Sequence, residues 1–214
     1  MKKAVTVVNR TTVRKENRRR GAPSGPRKAD ERRAALLEAA STLFVKKGYE
    51  ATTMDEIAAT ANFAKGTLYH YFASKVELLQ VLREDFEAEV MRSIRSQMNR
   101  YESDDWSGRI RGWIAGAVEA YFAMSKLHDV VIYGSGMPFR NAMADAEITS
   151  NLTNLLSDGV KAGAWRVNDP HWTAVVMFYS FRGGCDEAML GTLRAEELPD
   201  KLNDLFLRIL AVNS

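Results

Sequence analysis

From Ala29 onward the apolar residues of this chain recur at three- and four-residue steps, and no stretch alternates with period two between hairpin turns. That spacing places the apolar side chains on one stripe of a helix, so the predicted fold class is all-α. Leu36, Ala39, Ala40, Leu43 and Phe44 mark a first helix, which Gly48 closes just after Lys46 and Lys47, cations suited to the negative end of a helix dipole. Thr53-Met-Asp-Glu56 is a capping box that opens a short second helix through Ile57, Ala58 and Ala61. After a break at Asn62 a third helix runs from Lys65 to Phe72, and Ser74-Lys-Val-Glu77 reads as another capping box. The fourth helix carries Leu78, Leu82, Phe86, Val90, Ile94 and Met98 along one side. About 25 residues at ~1.5 Å each make it ~37 Å long.

The remainder continues as helices. One is predicted from Trp106 to Lys126 and another around Val130–Tyr133, before the breaker Gly134-Ser-Gly-Met-Pro138. Ile148, Leu152, Leu155, Leu156 and Val160 form a stripe that Gly163 ends. Asp169-Pro170 supplies a cap and a first-turn proline for a helix through Met189, and Pro199 opens the last, with Leu202, Leu205, Phe206 and Ile209. Hydrophobic residues make up 46% of the 214, enough for a real core, yet no apolar run reaches the ~18 residues of a membrane span. The start Met1-Lys-Lys-Ala-Val-Thr-Val-Val8 is too short in apolar residues for a signal peptide. Cys185 is the single cysteine, which excludes an intrachain disulfide. A cytoplasmic protein with no membrane partner is expected.

Charge is unevenly placed. Residues 1–29 hold ten basic side chains and one acid, a net +9, whereas the whole chain carries +3. An arm of this kind suits a polyanion, nucleic acid being the commonest; a solvated tail is the alternative. The glycines and prolines of Arg20-Gly-Ala-Pro-Ser-Gly-Pro-Arg27 make its end extended or disordered. Three organisational units follow: a basic arm (1–29), a three-helix unit (30–76) and a helical domain (77–214).

Three short helices ahead of a long one, with a tight break between the second and third, is the layout of a helix-turn-helix. Asparagine tolerates the left-handed backbone that a sharp turn at Asn62 requires. The run Lys65-Gly-Thr-Leu-Tyr-His-Tyr-Phe72 followed by Ser74-Lys75, within Thr52–Leu78, closely resembles the signature of TetR/AcrR transcriptional repressors. The close match covers about Ala34 to Leu79. The resemblance implies a double-stranded DNA operator as partner. It also implies that Lys65, Gly66, Thr67, Tyr69, His70 and Tyr71 approach the major groove or its phosphates, and that Thr53 and Lys75 touch backbone. Core packing is the competing reading of Tyr69 and, more so, of Tyr71. Lys75 has a separate argument: a cation in the first turn of a helix opposes the dipole, and a phosphate would relieve it. Ala64 stands where the family usually has a serine. The 30–75 segment is charge-neutral, with six basic and six acidic residues, so Arg18, Arg19 and Arg20 of the arm are expected to add attraction, in the minor groove.

The second domain offers no catalytic set, no phosphate-cradling glycine loop and no metal-ligand pair, so neither enzyme activity nor a cofactor or metal is expected. A sensor pocket between helices is the alternative that the resemblance also implies, with a small hydrophobic effector, partly aromatic or extended. Trp113, Phe122, Tyr133, Phe139 and Phe178 are candidate lining, each competing with plain core packing. Arg182 pairs with Asp186 at i+4 or anchors a ligand carboxylate. Gly108, Gly112 and Gly116 serve close helix packing or ligand room, packing being preferred. The last two helices, around Val175–Ala188 and Pro199–Leu210, are expected to form a homodimer, helped by Gly183-Gly184. A dimer reads a palindromic operator, with the fourth helix as the lever between domains. The resulting expectation is a ligand-released repressor. Its rivals are a DNA-binding architectural protein with no ligand and an unrecognised enzyme.

Overall fold

The computed structural model describes residues 26–133 and 147–210, and these are helical with no strand. Arg18, Arg19, Arg20 and Phe139 lie outside the described residues, as does the side chain of Tyr133. The first helix, α1 (Pro26–Lys47), starts earlier than the spacing suggested. Proline fits a first helical position, where its missing N–H has no intrahelical acceptor, so residues 26–29 belong to the helix and not to an extended arm.

Helix α2 (Met54–Thr60) packs with α1 and with α3 (Lys65–Tyr71), and the α2–α3 junction is a Schellman turn. Asn62 sits at φ 58°, its N–H donates to the Ala59 carbonyl at 3.1 Å, and Phe63 N–H donates to the Ala58 carbonyl at 2.9 Å. Phe63 is thereby turned onto the core, half-buried against it. Helix α4 (Lys75–Met98) follows, and its 24 residues span about 36 Å. Ser74 caps it through the Glu77 N–H, but the Glu77 carboxylate takes the Ala73 N–H at 2.6 Å, one residue before the partner a capping box uses.

Helix α5 (Trp106–Ala123) breaks at Met124, sooner than expected. The short α6 (Ser125–His128) then runs into one π-helical turn, Asp129–Tyr133. Helices α7 (Glu147–Lys161), α8 (Pro170–Met189) and α9 (Leu198–Leu210) complete the described domain. Asp169 caps α8 through the Trp172 N–H, as the Asp-Pro pair led us to expect. The apolar residues form one continuous core from Leu36 to Leu210. No helix among the described residues is long and apolar enough to cross a membrane.

The glycine stripe of α5 finds its reason here. A Cβ on Gly112 would lie 2.7 Å from Gln97 O, and one on Gly116 would lie 2.5 Å from Ile94 Cα, both backbone atoms of α4. Close packing of α4 on α5, not room for a ligand, requires both glycines. Gly116→Ala is therefore expected to destabilise the fold by about 1–3 kcal/mol, the usual cost of overpacking a core. Gly66→Ala, whose Cβ meets nothing within 4 Å, should keep or gain stability through helix propensity. Thermal unfolding of the two variants checks the contrast; equal melting temperatures would contradict it.

Candidate DNA-reading surface and interior cavity

The Thr53 capping box is complete: its hydroxyl oxygen accepts from Glu56 N–H at 3.3 Å, while Thr53 N–H donates to Glu56 Oε2 at 2.9 Å. Lys47 Nζ holds the other carboxylate oxygen at 2.5 Å. These bonds, the Lys47 contact first and the Thr53 N–H next, hold the Glu56 carboxyl down to about 2 from an ordinary 4.5. A depressed carboxyl stabilises the fold above its unfolded pKa and loses that contribution as pH falls through the folded value. The α2 cap should accordingly weaken between pH 4.5 and about 2. Amide exchange in α2 over that range checks this, and a Glu56→Gln variant should show no such step.

On α3 the inward residues are Leu68, fully buried, and half-buried Tyr71, which packs against the core. Lys65, Gly66, Tyr69 and His70 are exposed, and Thr67 is half-buried. The four exposed residues fall one helical turn apart in pairs, so they share one outward face. Tyr69 is 45% exposed although it is a large aromatic side chain. Lys65 pairs with Asp55 of α2 at 2.7 Å and lies 5.8 Å from the Tyr69 ring. That ion pair is open to solvent, so it orients the lysine at little energetic consequence.

Lys75 is placed differently from the expectation. Its Nζ donates to the carbonyls of Tyr49 at 2.7 Å, Thr52 at 3.0 Å and Glu50 at 3.2 Å, and it lies 4.3 Å from the Tyr49 ring centre. An ammonium has three donors, and all three are used. The adverse dipole at the start of α4 is thus relieved within the chain, by the turn that joins α1 to α2, and calls for no phosphate. That turn is itself fixed by Gly48 at φ +86° and by the Thr52 hydroxyl on the Gly48 carbonyl at 2.8 Å. Lys75 ties α4 to the turn between α1 and α2.

A family model for bacterial regulatory proteins of the tetR family matches residues 36–82, the segment that carries this surface. The HTH-type transcriptional regulator YhgD of Bacillus subtilis is 31% identical over 159 residues, covering 69% of this chain and 78% of its own. The chain belongs to the TetR family. Among other family members, the transcriptional repressor KstR2 of Mycolicibacterium smegmatis is 40% identical over 65 residues, 30% of this chain and 32% of its own. The fatty acid degradation regulator FadR of Bacillus halodurans shares the fold, with a TM-score of 0.68 and 22% identity over 86% of this chain and 96% of its own. These relatives are transcriptional regulators.

In the second domain a cavity opens between α4 and α8. Its walls are Phe86, Glu87 and Val90 of α4 with Ala117 and Tyr121 of α5. Opposite them stand His128 of α6, Ile148 of α7, and Phe178, Phe181 and Arg182 of α8. The cavity holds about 40 Å³, room for roughly two or three waters and far below the ~300–1,000 Å³ of a small-molecule site. Of the candidate lining, the structure brings Phe178 and Arg182 here. Trp113 is instead fully buried core, edge-on to Phe181 at 5.8 Å, and half-buried Phe122 packs beside Tyr121. Sequence reasoning missed Phe86 and Val90 because their spacing marks them only as the core stripe of α4. Burial pushes the His128 ring below its ordinary value, and its Nδ1 lies 3.3 Å from Asp129. Burial likewise pushes the Cys185 thiol up to about 12, so it is an inert packed side chain. No group of three His, Cys, Asp or Glu side chains among the described residues could hold a metal ion.

Proposed function

We propose that this chain is a cytoplasmic repressor, and not an enzyme, that binds a palindromic operator as a homodimer and is released by a small hydrophobic effector. The observation that carries this reading is the outward face of Lys65, Gly66, Tyr69 and His70, held by a core that runs unbroken into the cavity-bearing domain. Exposed donors and a ring on a short helix suit phosphates and base edges. Gly66 leaves backbone accessible, since nothing lies within 4 Å of its missing Cβ.

A second copy of the chain is the natural cover for α8 and α9. Trp172, Val176 and Tyr179 are 63%, 40% and 47% exposed along one side of α8, and Leu205 and Ile209 are 43% and 39% exposed on α9. Gly183 shares that side of α8 with no atom within 4 Å of a Cβ, whereas Gly184 serves the chain's own packing against Leu198. Phe206 of α9 is fully buried within one chain, which leaves Leu205 and Ile209 as the exposed large apolar side chains of that helix that a partner could cover.

The effector reading follows from where the cavity lies. At about 40 Å³ it cannot admit an effector unless α4 and α8 separate. Binding and movement of the lever are then one event, and the ligand shifts the DNA-binding state by its differential affinity for the two arrangements. Footprinting on the DNA upstream of its own gene tests the repressor reading, with and without residues 1–25, a truncation that leaves α1 whole. Each phosphate neutralised contributes roughly −0.9 to the slope of log affinity against log salt. Two or three arm contacts per subunit should flatten that slope by about 4–5 units on truncation while the footprint stays in place. Coincident slopes would assign the arm no DNA contact.

A further inference from the structure

Besides the His70 imidazole, the charged side chains of α2 and α3 are Asp55, Glu56 and Lys65. Glu56 is taken up by its own cap and by Lys47. Asp55 and Lys65 are left to each other. Lys65 Nζ lies 2.7 Å from Asp55 Oδ1 and donates to Oδ2 at 3.0 Å, so one ammonium engages both oxygens across the α2–α3 junction. Both side chains stay open to solvent, Lys65 59% and Asp55 63% exposed. A pair so exposed contributes little to stability; its effect is to fix where the ammonium stands. The Tyr69 ring, one turn further along α3, lies 5.8 Å from the same nitrogen, within the range over which a cation is drawn to a ring face. Lys65 is thus bounded by a carboxylate on one side and by a ring of the outward α3 face on another.

What the pair does to DNA recognition follows from its charge. A lone lysine seeks phosphates: it neutralises one, releases a counterion and binds any sequence alike. A lysine held by a carboxylate brings no net charge, so that gain is lost. A phosphate bound there would also stand near the Asp55 oxygens, like charge beside like charge. A base edge carries no net charge and escapes the repulsion. Two oxygens occupy at most two of the three ammonium donors, and the remaining donor still meets a neutral acceptor. In the major groove guanine offers two acceptors side by side, O6 and N7, the edge that basic side chains read most often. The Asp55 carboxylate therefore shifts Lys65 from general attraction to discrimination.

We propose, resting on the repressor reading above, that Asp55 is a specificity-determining residue: it positions Lys65 as the reader of one guanine in each half-site and withholds it from the phosphates. Selection from a random pool of duplex DNA by the full chain supplies the preferred site. Fluorescence anisotropy over a range of salt then compares that duplex with its single-base-pair substitutions and with an unrelated duplex. Lys65→Met should lose about tenfold in discrimination at one guanine of each half-site, the scale of a single base contact, with its salt slope unchanged. Asp55→Asn should lose the same discrimination and bind the unrelated duplex more tightly. Its salt slope should steepen by up to about 2 units, as the freed lysine of each subunit takes a phosphate. The double variant should match Lys65→Met. A salt slope flattened by Lys65→Met would overturn the proposal, since Lys65 would then hold a phosphate beside Asp55. So would a gain from Asp55→Asn on every duplex alike that persists in the Lys65→Met background, because Asp55 would then act by repulsion alone. A wild-type chain that selects no common sequence would sink the repressor reading and this proposal with it. A wild-type chain that selects a site while both variants keep its discrimination would sink this proposal alone.

Discussion

Leu205→Glu should yield a folded monomer whose operator affinity falls by about two to four orders of magnitude, the range gained when two linked sites bind as one. Leu205 is 43% exposed in one chain, so glutamate there meets water when the chain is alone and a desolvated apolar surface when two chains associate. Phe206 is the internal control. It is fully buried, and a charge at that position faces the core, where an unpaired ion costs several kcal/mol. Phe206→Glu should therefore unfold the domain and not merely separate subunits. Sedimentation with circular dichroism distinguishes the two outcomes. A Leu205→Glu protein that still sediments as a dimer would remove α9 from the interface.

Tyr69→Ala and Lys75→Met should both weaken operator binding, for different reasons. Tyr69 stands 45% exposed on α3, and truncating an exposed side chain changes stability by no more than about 0.5 kcal/mol. If the ring meets a base edge or phosphate, each subunit loses about 1–3 kcal/mol of binding, which the two subunits of a dimer double. Lys75→Met instead strips a donor from three carbonyls and should cost about 1–3 kcal/mol of stability. Its effect on DNA then comes through a helix-turn-helix no longer tied to α4. Thermal unfolding beside fluorescence anisotropy on operator DNA separates them: unchanged melting is expected for Tyr69→Ala and lowered melting for Lys75→Met. Identical melting of the two variants would return Lys75 to a direct phosphate contact.

The parts of this molecule that could be read from sequence are those set by neighbours along the chain. The α2 capping box, the turn at Asn62 and the Asp-Pro start of α8 each depend on residues within a few positions, and each forms as the spacing implies. The glycines of α5 were readable as a packing device because their shared face was clear, although the atoms they meet belong to α4. What escaped depends on contacts far apart in the chain. Lys75 finds its carbonyls 23–26 residues away, and nothing in Ser-Lys-Val-Glu announces them. The cavity draws from five helices, so an aromatic residue such as Trp113 and a lining residue such as Phe178 look alike until the helices are assembled. Leu205 and Phe206 are adjacent on one apolar stripe, and only the packing of α9 buries Phe206 in the core and leaves Leu205 exposed.

The central claim is that two copies of α3 read one palindrome from the major groove. Methylation interference at guanine N7, a major-groove atom, tests it most directly on the DNA bound by the full chain. Two patches of interference should appear, related by a two-fold axis and centred about one helical turn apart, near 10 base pairs. Tyr69→Ala should weaken both together. Binding that is indifferent to N7 methylation, or a single patch at saturation, would contradict it.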